Sequence, residues 1–260
     1  MPPIKNIFIF HQKGLEVLAP YVAQAIGEVM DCFPAYKSMF PIQNMGNWAS
    51  DHAYYTRDGH TYLTPYESIQ WYLERAKARA EMEGRWPARE QINVSQIMDD
   101  LEQDPYFEKI PQWGIYLTSH DLYGGGANNF CLGCTKPDSF SVISTRRFLD
   151  RRGQLDIQGF QTIVQHEFGH ILRLTEGNRP NTHYYLGEHC TDPNCIMQQR
   201  PTGDFSDITA RRLALRDRGI PPICPDCITQ GRKTLFQLYA NHERLFGPNN
   251  PNAPTGPGGR

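Results

Sequence analysis

The 260-residue chain contains no run of about 18 apolar residues, the length that a membrane-spanning helix requires. We therefore expect no membrane partner. Its formal net charge is only −2, so strong attraction to nucleic acid or to anionic lipid is not expected either. No segment of the sequence repeats another, which excludes the repeat architectures.

The start of the given sequence is not expected to be a secretory signal. Residues 1–10 have few apolar residues in a row and no small-residue cleavage site, so we predict a buried first strand and a cytoplasmic protein. A hydrophobic content of 39% is enough for a sizeable core, and residues 1–246 are expected to form one domain with an elaborated N-terminal half. Proline, glycine and asparagine dominate residues 247–260, which indicates a disordered tail.

The most informative feature present is His-Glu-Phe-Gly-His at positions 166 to 170. Residues four apart on an α-helix lie on the same face, so His166 and His170 can hold one ion. In such a motif the two imidazoles bind zinc, and the glutamate, here Glu167, accepts a proton from a water molecule. Asp156 is a plausible N-cap, and residues 157–174 contain no proline and keep an apolar face, which predicts the helix that the motif needs.

A simpler interpretation of this segment is a core helix whose histidines are satisfied by backbone carbonyls. We favour it less, because the helix would then carry a poorly placed Glu167. A catalytic zinc usually has three protein ligands, so a third donor is needed. The residues alone leave four candidates open, which are Glu176, His183, Glu188 and His189.

Four cysteines follow in two close pairs, Cys190 with Cys195 and Cys224 with Cys227. In a chain without a secretory signal such pairs are more typical of metal sites than of disulfides, and a site made of four thiolates is structural. The alternative is that these are ordinary buried thiols. Proline within each pair favours knuckle-like turns over core elements.

The order of these residues resembles the archaemetzincin family, in which His-Glu-x-x-His precedes His-Cys-x4-Cys-x-Met and a later Cys-x-x-Cys. The matching positions are His166, Glu167, His170, His189, Cys190, Cys195, Met197, Cys224 and Cys227. The resemblance covers roughly the second half of the chain. It implies an α+β, mixed α/β fold with a twisted mixed sheet, backing helices, an active-site zinc helix and a helical C-terminal part.

The resemblance also implies two Zn²⁺ ions per chain. His166, His170 and His189 would bind the catalytic ion, with Met197 beneath it, and the four cysteines would bind a structural ion. Two features depart from the family: Arg173 stands where a glycine would end the helix, and His189 follows His170 by nineteen residues. We expect residues 176–187 to form an inserted surface loop after a helix that ends at Gly177, with His183 over the cleft.

The remaining pattern predicts alternating strands and helices early in the chain, with helices last. Strands are expected at residues 4–10, 114–118 and 140–144, and helices at 14–32, 65–82, 94–101, 206–218 and 229–245. Residues 33–64 are expected to be a family-specific elaboration with short strands or a binding loop, in which Asp51, His52 and His60 are surface residues. We interpret Cys131 and Cys134 as free cysteines at the cleft rim, and Cys32 as a core residue.

On these grounds the chain is expected to be a zinc metallopeptidase that acts on a peptide or protein substrate, with Glu167 as the base. One alternative is a catalytically inert, zinc-stabilised interaction module, which a catalytic ion saturated by Glu176 or Glu188 would favour. Another is a zinc-ribbon-like nucleic-acid binder, against which the near-neutral charge argues. Four arginines on one predicted helix are more typical of a solvated face, namely Arg211, Arg212, Arg216 and Arg218. The sequence leaves the oligomeric state open.

Overall fold

A computed structural model describes residues 4–47, 54–57, 60–63, 69–103, 112–124, 130–177, 179–184, 187–199 and 206–246, with the backbone alone described for 54–57 and 60–63. The predicted tail, together with Asp51 and His52, lies outside these residues. Within them, no helix is both long enough and apolar enough to cross a lipid bilayer.

A five-stranded mixed sheet lies at the centre of the fold, with strand order β2-β1-β6-β9-β8. Neighbouring strands are parallel except β8, which forms one edge and runs antiparallel to β9. The other strands form three two-stranded sheets, pairing β3 with β4, β5 with β7, and β10 with β11. The strands are β1 (Asn6–His11), β2 (Ile42–Gly46), β3 (Tyr54–Arg57), β4 (His60–Leu63), β5 (Gln91–Asn93), β6 (Gln112–Thr118), β7 (Asp121–Tyr123), β8 (Gly133–Lys136), β9 (Phe140–Ser144), β10 (Thr182–Tyr184) and β11 (Glu188–Cys190).

Six α-helices are present in the described residues. They are α1 (Ala19–Met30), α2 (Ile69–Met82), α3 (Val94–Glu102), α4 (Ile157–Ile171), α5 (Ser206–Asp217) and α6 (Pro225–Phe246). Helix α4 carries the His-Glu-x-x-His motif, and α6 begins at the last cysteine pair.

Helices cover both faces of the sheet, so each strand has to bury side chains in both directions. In β1, Ile7 and Ile9 join the core that the sheet forms with α1 and α4. The alternate residues Phe8 and Phe10 join a second core with α2 and α3. A parallel strand that is buried on both faces needs apolar residues at successive positions, which is why residues 7–10 are all apolar. The predicted mixed α/β fold with backing helices is confirmed.

Trp113 fixes the position of α4 on the sheet. Its indole ring is fully buried, stacks on Phe40 at 4.8 Å between centroids, and meets the edge of Phe168 of α4 at 6.0 Å. The indole N–H donates to the Asp138 carboxylate at 3.0 Å. Since Phe168 lies between the two motif histidines, this aromatic contact holds the middle of the motif against β6.

The start of α4 is where the sequence predicts it. Asp156 is the N-cap, and its carboxylate accepts a hydrogen bond of 3.0 Å from the Gly159 backbone N–H. The end differs, because the helix stops at Ile171 and not near residue 174 or Gly177. The expected loop at 176–187 also contains strand β10, which pairs with β11 in a hairpin.

Arg173 explains the early end of α4. It adopts a left-handed backbone conformation, with φ of 56°, just after the C-cap residue Leu172. The N–H groups of Arg173 and Leu174 donate to the carbonyls of His170 and Gly169, both at 3.0 Å. This pair of bonds is the Schellman motif, which usually places glycine at the left-handed position. Arg173 therefore occupies the left-handed position at which glycine was expected, at a cost in conformational free energy.

Replacing Arg173 with glycine should stabilise the chain. A non-glycine residue pays roughly 1–2 kcal/mol for the left-handed conformation, part of which glycine loses again through its more flexible unfolded state. The side chain also forms a solvent-exposed ion pair with Glu176, which contributes little. We expect the free energy of unfolding to rise by about 0.5–1 kcal/mol, measured by urea denaturation. A lower stability of Arg173→Gly would contradict this account, and Arg173→Ala serves as the control that loses the ion pair without gaining the backbone freedom.

Two other helices begin at different residues from those predicted. Helix α1 starts at Ala19, not near residue 14, because Pro20 suits a first turn, and a short 3-10 helix (Glu16–Leu18) precedes it. Helix α6 starts at Pro225, four residues before the predicted position. Cys227 therefore lies in the first turn of a helix, and only Cys224 precedes it in the loop.

Candidate active site

Three histidine side chains converge where α4 faces β11. The Nε2 atom of His170 lies 3.2 Å from Nε2 of His166 and 3.2 Å from Nε2 of His189. A tetrahedral zinc with Zn–N bonds of about 2.0–2.1 Å holds its ligand nitrogens about 3.3 Å apart. The spacing of the three nitrogens therefore fits one zinc ion.

Backbone carbonyls orient two of these imidazoles. Nδ1 of His166 lies 2.7 Å from the Ile196 carbonyl, and Nδ1 of His189 lies 3.1 Å from the Gly187 carbonyl. A carbonyl only accepts, so each Nδ1 carries the hydrogen and each Nε2 presents its lone pair to the ion. Burial lowers the pKa of His166 to about 4 and holds the pKa of His170 well below its usual range. Both rings are thus neutral, as metal binding requires.

His183 lies beside this cluster but is not part of it. It pairs with His189 across the β10–β11 hairpin, with ring centroids 6.3 Å apart, and its side chain is exposed. Among the described residues, the histidine cluster contains His166, His170 and His189 and neither Glu176 nor Glu188. The structure therefore brings His189, and not the other three candidates, to the helical pair.

Glu167 is buried beside the histidines on the same turn of α4, with 6% of its surface exposed. Its carboxylate accepts a hydrogen bond from the Thr135 hydroxyl of β8. Burial raises the pKa of Glu167 to about 7, and the Thr135 hydrogen bond opposes this rise. Glu167 is predictable from the motif, whereas Thr135 is not, because a lone threonine on a strand carries no spacing signal.

The four cysteines form a second cluster, and all four are buried. The Sγ atoms of Cys190 and Cys224 are 3.7 Å apart, and those of Cys195 and Cys227 are 3.8 Å apart. A tetrahedral zinc with Zn–S bonds of about 2.3 Å places its sulfurs about 3.8 Å apart, whereas a disulfide bond is about 2.05 Å long. The thiols are free and fit a closed zinc site. Together the two clusters could hold two zinc ions.

Hydrogen bonds to sulfur surround the cysteine cluster. The backbone N–H groups of Asp192 and Cys224 donate to Sγ of Cys190 and Cys195, at 3.4 and 3.5 Å. The guanidinium of Arg179 donates to Sγ of Cys227 at 3.4 Å. Four thiolates around one Zn²⁺ carry a net charge of −2, which a neighbouring cation offsets. Arg179 was not predicted as part of this site, because it lies in the segment expected to be a surface loop.

Met197 packs against α4 at Gly169, the residue before His170. A Cβ atom built on Gly169 would lie 2.2 Å from Met197 Sδ, so only glycine allows this approach. The Met197 carbonyl accepts a 3.0 Å hydrogen bond from the Cys190 N–H. Met197 therefore contacts the helix that carries the histidines and the strand that carries Cys190.

The other cysteines are far less suited to chemistry. Burial raises the pKa of Cys134 to about 12 and holds the pKa of Cys131 well above its usual range. Both side chains pack against the core that contains α2 and α3. Thiols that stay protonated are unreactive. Cys32 is free and half-buried against the core that contains α1 and α4.

The prediction that four arginines form a solvated face is wrong for Arg212. Its side chain is 1% exposed, and its guanidinium pairs with Glu28 of α1 at 3.0 Å and donates to the Thr162 hydroxyl of α4 at 3.2 Å. Gln165 of α4 donates to the same Glu28 carboxylate at 2.6 Å. This partly buried network ties α1, α4 and α5 together.

The site therefore belongs to a mixed α/β protein with a histidine cluster and a cysteine cluster, each shaped for zinc. No protein-family model and no curated protein matches the sequence. A crystal structure of archaemetzincin from Methanopyrus kandleri is similar to the chain, with a TM-score of 0.54 and 19% identity, covering 89% of this chain and 96% of that one. The chain thus has the archaemetzincin fold.

Two further structures are similar over much of the chain. An archaemetzincin from Archaeoglobus fulgidus in complex with malonate has a TM-score of 0.49 and 18% identity, covering 86% of this chain and 99% of that one. A zinc-dependent peptidase from Methanocorpusculum labreanum has a TM-score of 0.43 and 18% identity, with the same coverage. The fold assignment rests on the first structure alone.

Proposed function

We propose that the chain is a zinc-dependent metallopeptidase that hydrolyses peptide bonds, with Glu167 as its general base. One observation carries the proposal, namely that three imidazoles present their Nε2 atoms at zinc-ligand spacing beside the buried carboxylate of Glu167. A three-histidine donor set leaves one tetrahedral position for water or substrate. The archaemetzincin fold supports this reading.

His166, His170 and His189 would hold the catalytic ion. When bound, zinc acts as a Lewis acid that polarises the substrate carbonyl and makes water a stronger acid. The carbonyls of Ile196 and Gly187 keep two of the ligand rings in the required tautomer. These contacts set the site before substrate arrives, so little reorganisation is needed during turnover.

Glu167 would move the proton. Its carboxylate accepts one from the attacking water and then passes it to the leaving amine, as a general base and then a general acid. Its carboxylate does not join the histidine cluster, so it remains available for this transfer. Hydrogen bonding by Thr135 fixes one carboxylate oxygen, and burial keeps bulk water from competing for the other.

Cys190, Cys195, Cys224 and Cys227 would hold the second zinc in a closed, structural site. Because His189 and Cys190 are consecutive on β11, the four-thiolate site would fix the position of the third histidine ligand. The inert interaction module would be favoured by a carboxylate in the histidine cluster, and none of the described residues supplies one. The substrate is therefore expected to be a peptide or protein.

Replacing Glu167 with glutamine tests the proposal. The amide cannot accept the proton, so we expect kcat on a peptide library to fall by about 100- to 10,000-fold. Metal content, measured by mass spectrometry after dialysis, should stay at two zinc ions, because the carboxylate is not a ligand. Undiminished turnover in Glu167→Gln would remove Glu167 from the role of base.

The matched control is Glu176→Gln, which makes the same change at a carboxylate that pairs with Arg173 beyond the end of α4. This variant should keep both its zinc content and its turnover. Equal losses in the two variants would point to a general effect of charge, and the proposed role of Glu167 would fail.

A further inference from the structure

Strand β8 forms a socket for the Glu167 side chain. Residues two apart on a strand face the same side, and in β8 Gly133 and Thr135 both face α4. A Cβ atom built on Gly133 would lie 2.7 Å from Cγ, Cδ and Oε1 of Glu167, closer than carbon atoms approach. The Glu167 side chain therefore lies directly on the Gly133 backbone, a position that only glycine permits.

The Thr135 hydroxyl closes the socket from the other side. It donates to Oε2 of Glu167, and its oxygen lies 2.5 Å from the hydroxyl of Ser141, the residue opposite it on β9. A carboxylate only accepts and each hydroxyl has one hydrogen. The direction is therefore fixed, because Ser141 must donate to Thr135 if Thr135 donates to Glu167. Ser141 is fully buried, so solvent does not compete for its hydroxyl.

We propose that Thr135 is a positioning residue for the general base: with Gly133, its hydroxyl holds the Glu167 carboxylate in one orientation. This inference rests on the proposed peptidase function. With Oε2 held by Thr135, Oε1 is the oxygen that accepts the proton. The hydrogen bond to Oε2 persists after Oε1 is protonated, so the carboxyl group stays in place until it gives the proton to the leaving amine.

The test compares Thr135→Val, which removes the hydroxyl and keeps the shape, with Thr135→Ser, which keeps the hydroxyl and loses a methyl group. We expect Thr135→Val to lower kcat about 10- to 100-fold, with KM and zinc content unchanged, because a misplaced catalytic group costs about that much. Thr135→Ser should stay within about threefold of the parent chain. If Thr135 acted only by filling space, Thr135→Val would keep its turnover, and Thr135→Ser, which loses the methyl group, would be the impaired variant.

Thr118→Val is the matched control. Thr118 is buried in β6, which is separated from β8 by β9 in the sheet, and its hydroxyl donates to the Gln12 side-chain oxygen at 3.1 Å. It should lose stability as Thr135→Val does and keep its kcat. Wild-type kcat in Thr135→Val, or an equal loss of kcat in Thr118→Val, would overturn the positioning role.

Crystal structures of the parent chain and Thr135→Val supply a readout that is independent of activity. The Glu167 carboxylate should leave its place over Gly133, or adopt more than one orientation, in Thr135→Val alone. A single unchanged orientation would overturn the proposal. If the parent chain cleaved no peptide, the peptidase function would fail, and the two crystal structures would still decide whether Thr135 orients Glu167.

Discussion

Replacing Cys224 with serine is expected to remove both zinc ions and to unfold much of the chain. Structural zinc binds with an apparent free energy of about 10–16 kcal/mol, comparable to the ~5–15 kcal/mol net stability of a whole domain. Cys224 precedes α6, and its sulfur lies 3.7 Å from Cys190, the residue after His189. Loss of the cysteine site therefore releases the strand that carries the third histidine.

Metal content and urea denaturation measure this effect together. The midpoint of unfolding should fall sharply in Cys224→Ser, and fewer than one zinc ion should remain per chain after dialysis. Cys131→Ser is the control, because this thiol packs against the second core and lies outside both clusters. A Cys224→Ser chain that still held one tightly bound ion would show that the histidine site forms independently of the cysteines.

Replacing His189 with alanine is expected to remove one zinc ion and leave the other. The catalytic ion would keep only the two imidazoles of α4, whereas the four sulfurs would be unchanged. We expect metal content to fall from two ions to one and peptide hydrolysis to be lost, with most of the stability retained. His189→Ala is thus expected to keep the fold and lose one ion, whereas Cys224→Ser is expected to lose both the fold and the metal.

His183→Ala is the matched control for the third ligand. His183 lies opposite His189 on the same hairpin, with its ring 6.3 Å away, and the sequence alone left both open as ligands. This variant should keep two ions. Loss of an ion from His183→Ala, with two ions retained in His189→Ala, would reverse the assignment.

The parts of the fold that were predictable are those where local chemistry decides. Asp156 can cap a helix because of its own side chain, and residues 7–10 are apolar because both faces of their strand are covered. Helical spacing was likewise enough to place His166 and His170 on one face. Helical spacing could not identify the third ligand. His189 reaches the other two histidines because β10 and β11 form a hairpin, and the turn-rich sequence of this segment did not predict that hairpin.

The roles of residues whose partners are distant in the sequence could not be predicted. Thr135 meets Glu167 only because β8 lies along α4, and Arg179 meets Cys227 across 48 positions of sequence. Arg212 looked like a surface residue, because charge on a helix is usually solvated and nothing local reveals its partner Glu28. At Arg173 the sequence departs from the glycine that the family resemblance implied, yet the arginine adopts the same left-handed turn.

The Arg212–Glu28 pair has a consequence for how the protein is made. Its two members are 184 residues apart, and Cys224 and Cys227 also lie near the end of the described chain. While the ribosome is still producing residues before 206, Glu28 and Gln165 have no guanidinium to share, and only half of the thiols have been synthesised. N-terminal segments generally fold first during translation. In this chain the four-thiol cluster can form only after the start of α6 has been synthesised, because Cys224 immediately precedes that helix and Cys227 lies in its first turn. A nascent or shortened chain that ends before α5 would therefore lack the Arg212 guanidinium and two of the four clustered thiols, so the four-thiol site could not form.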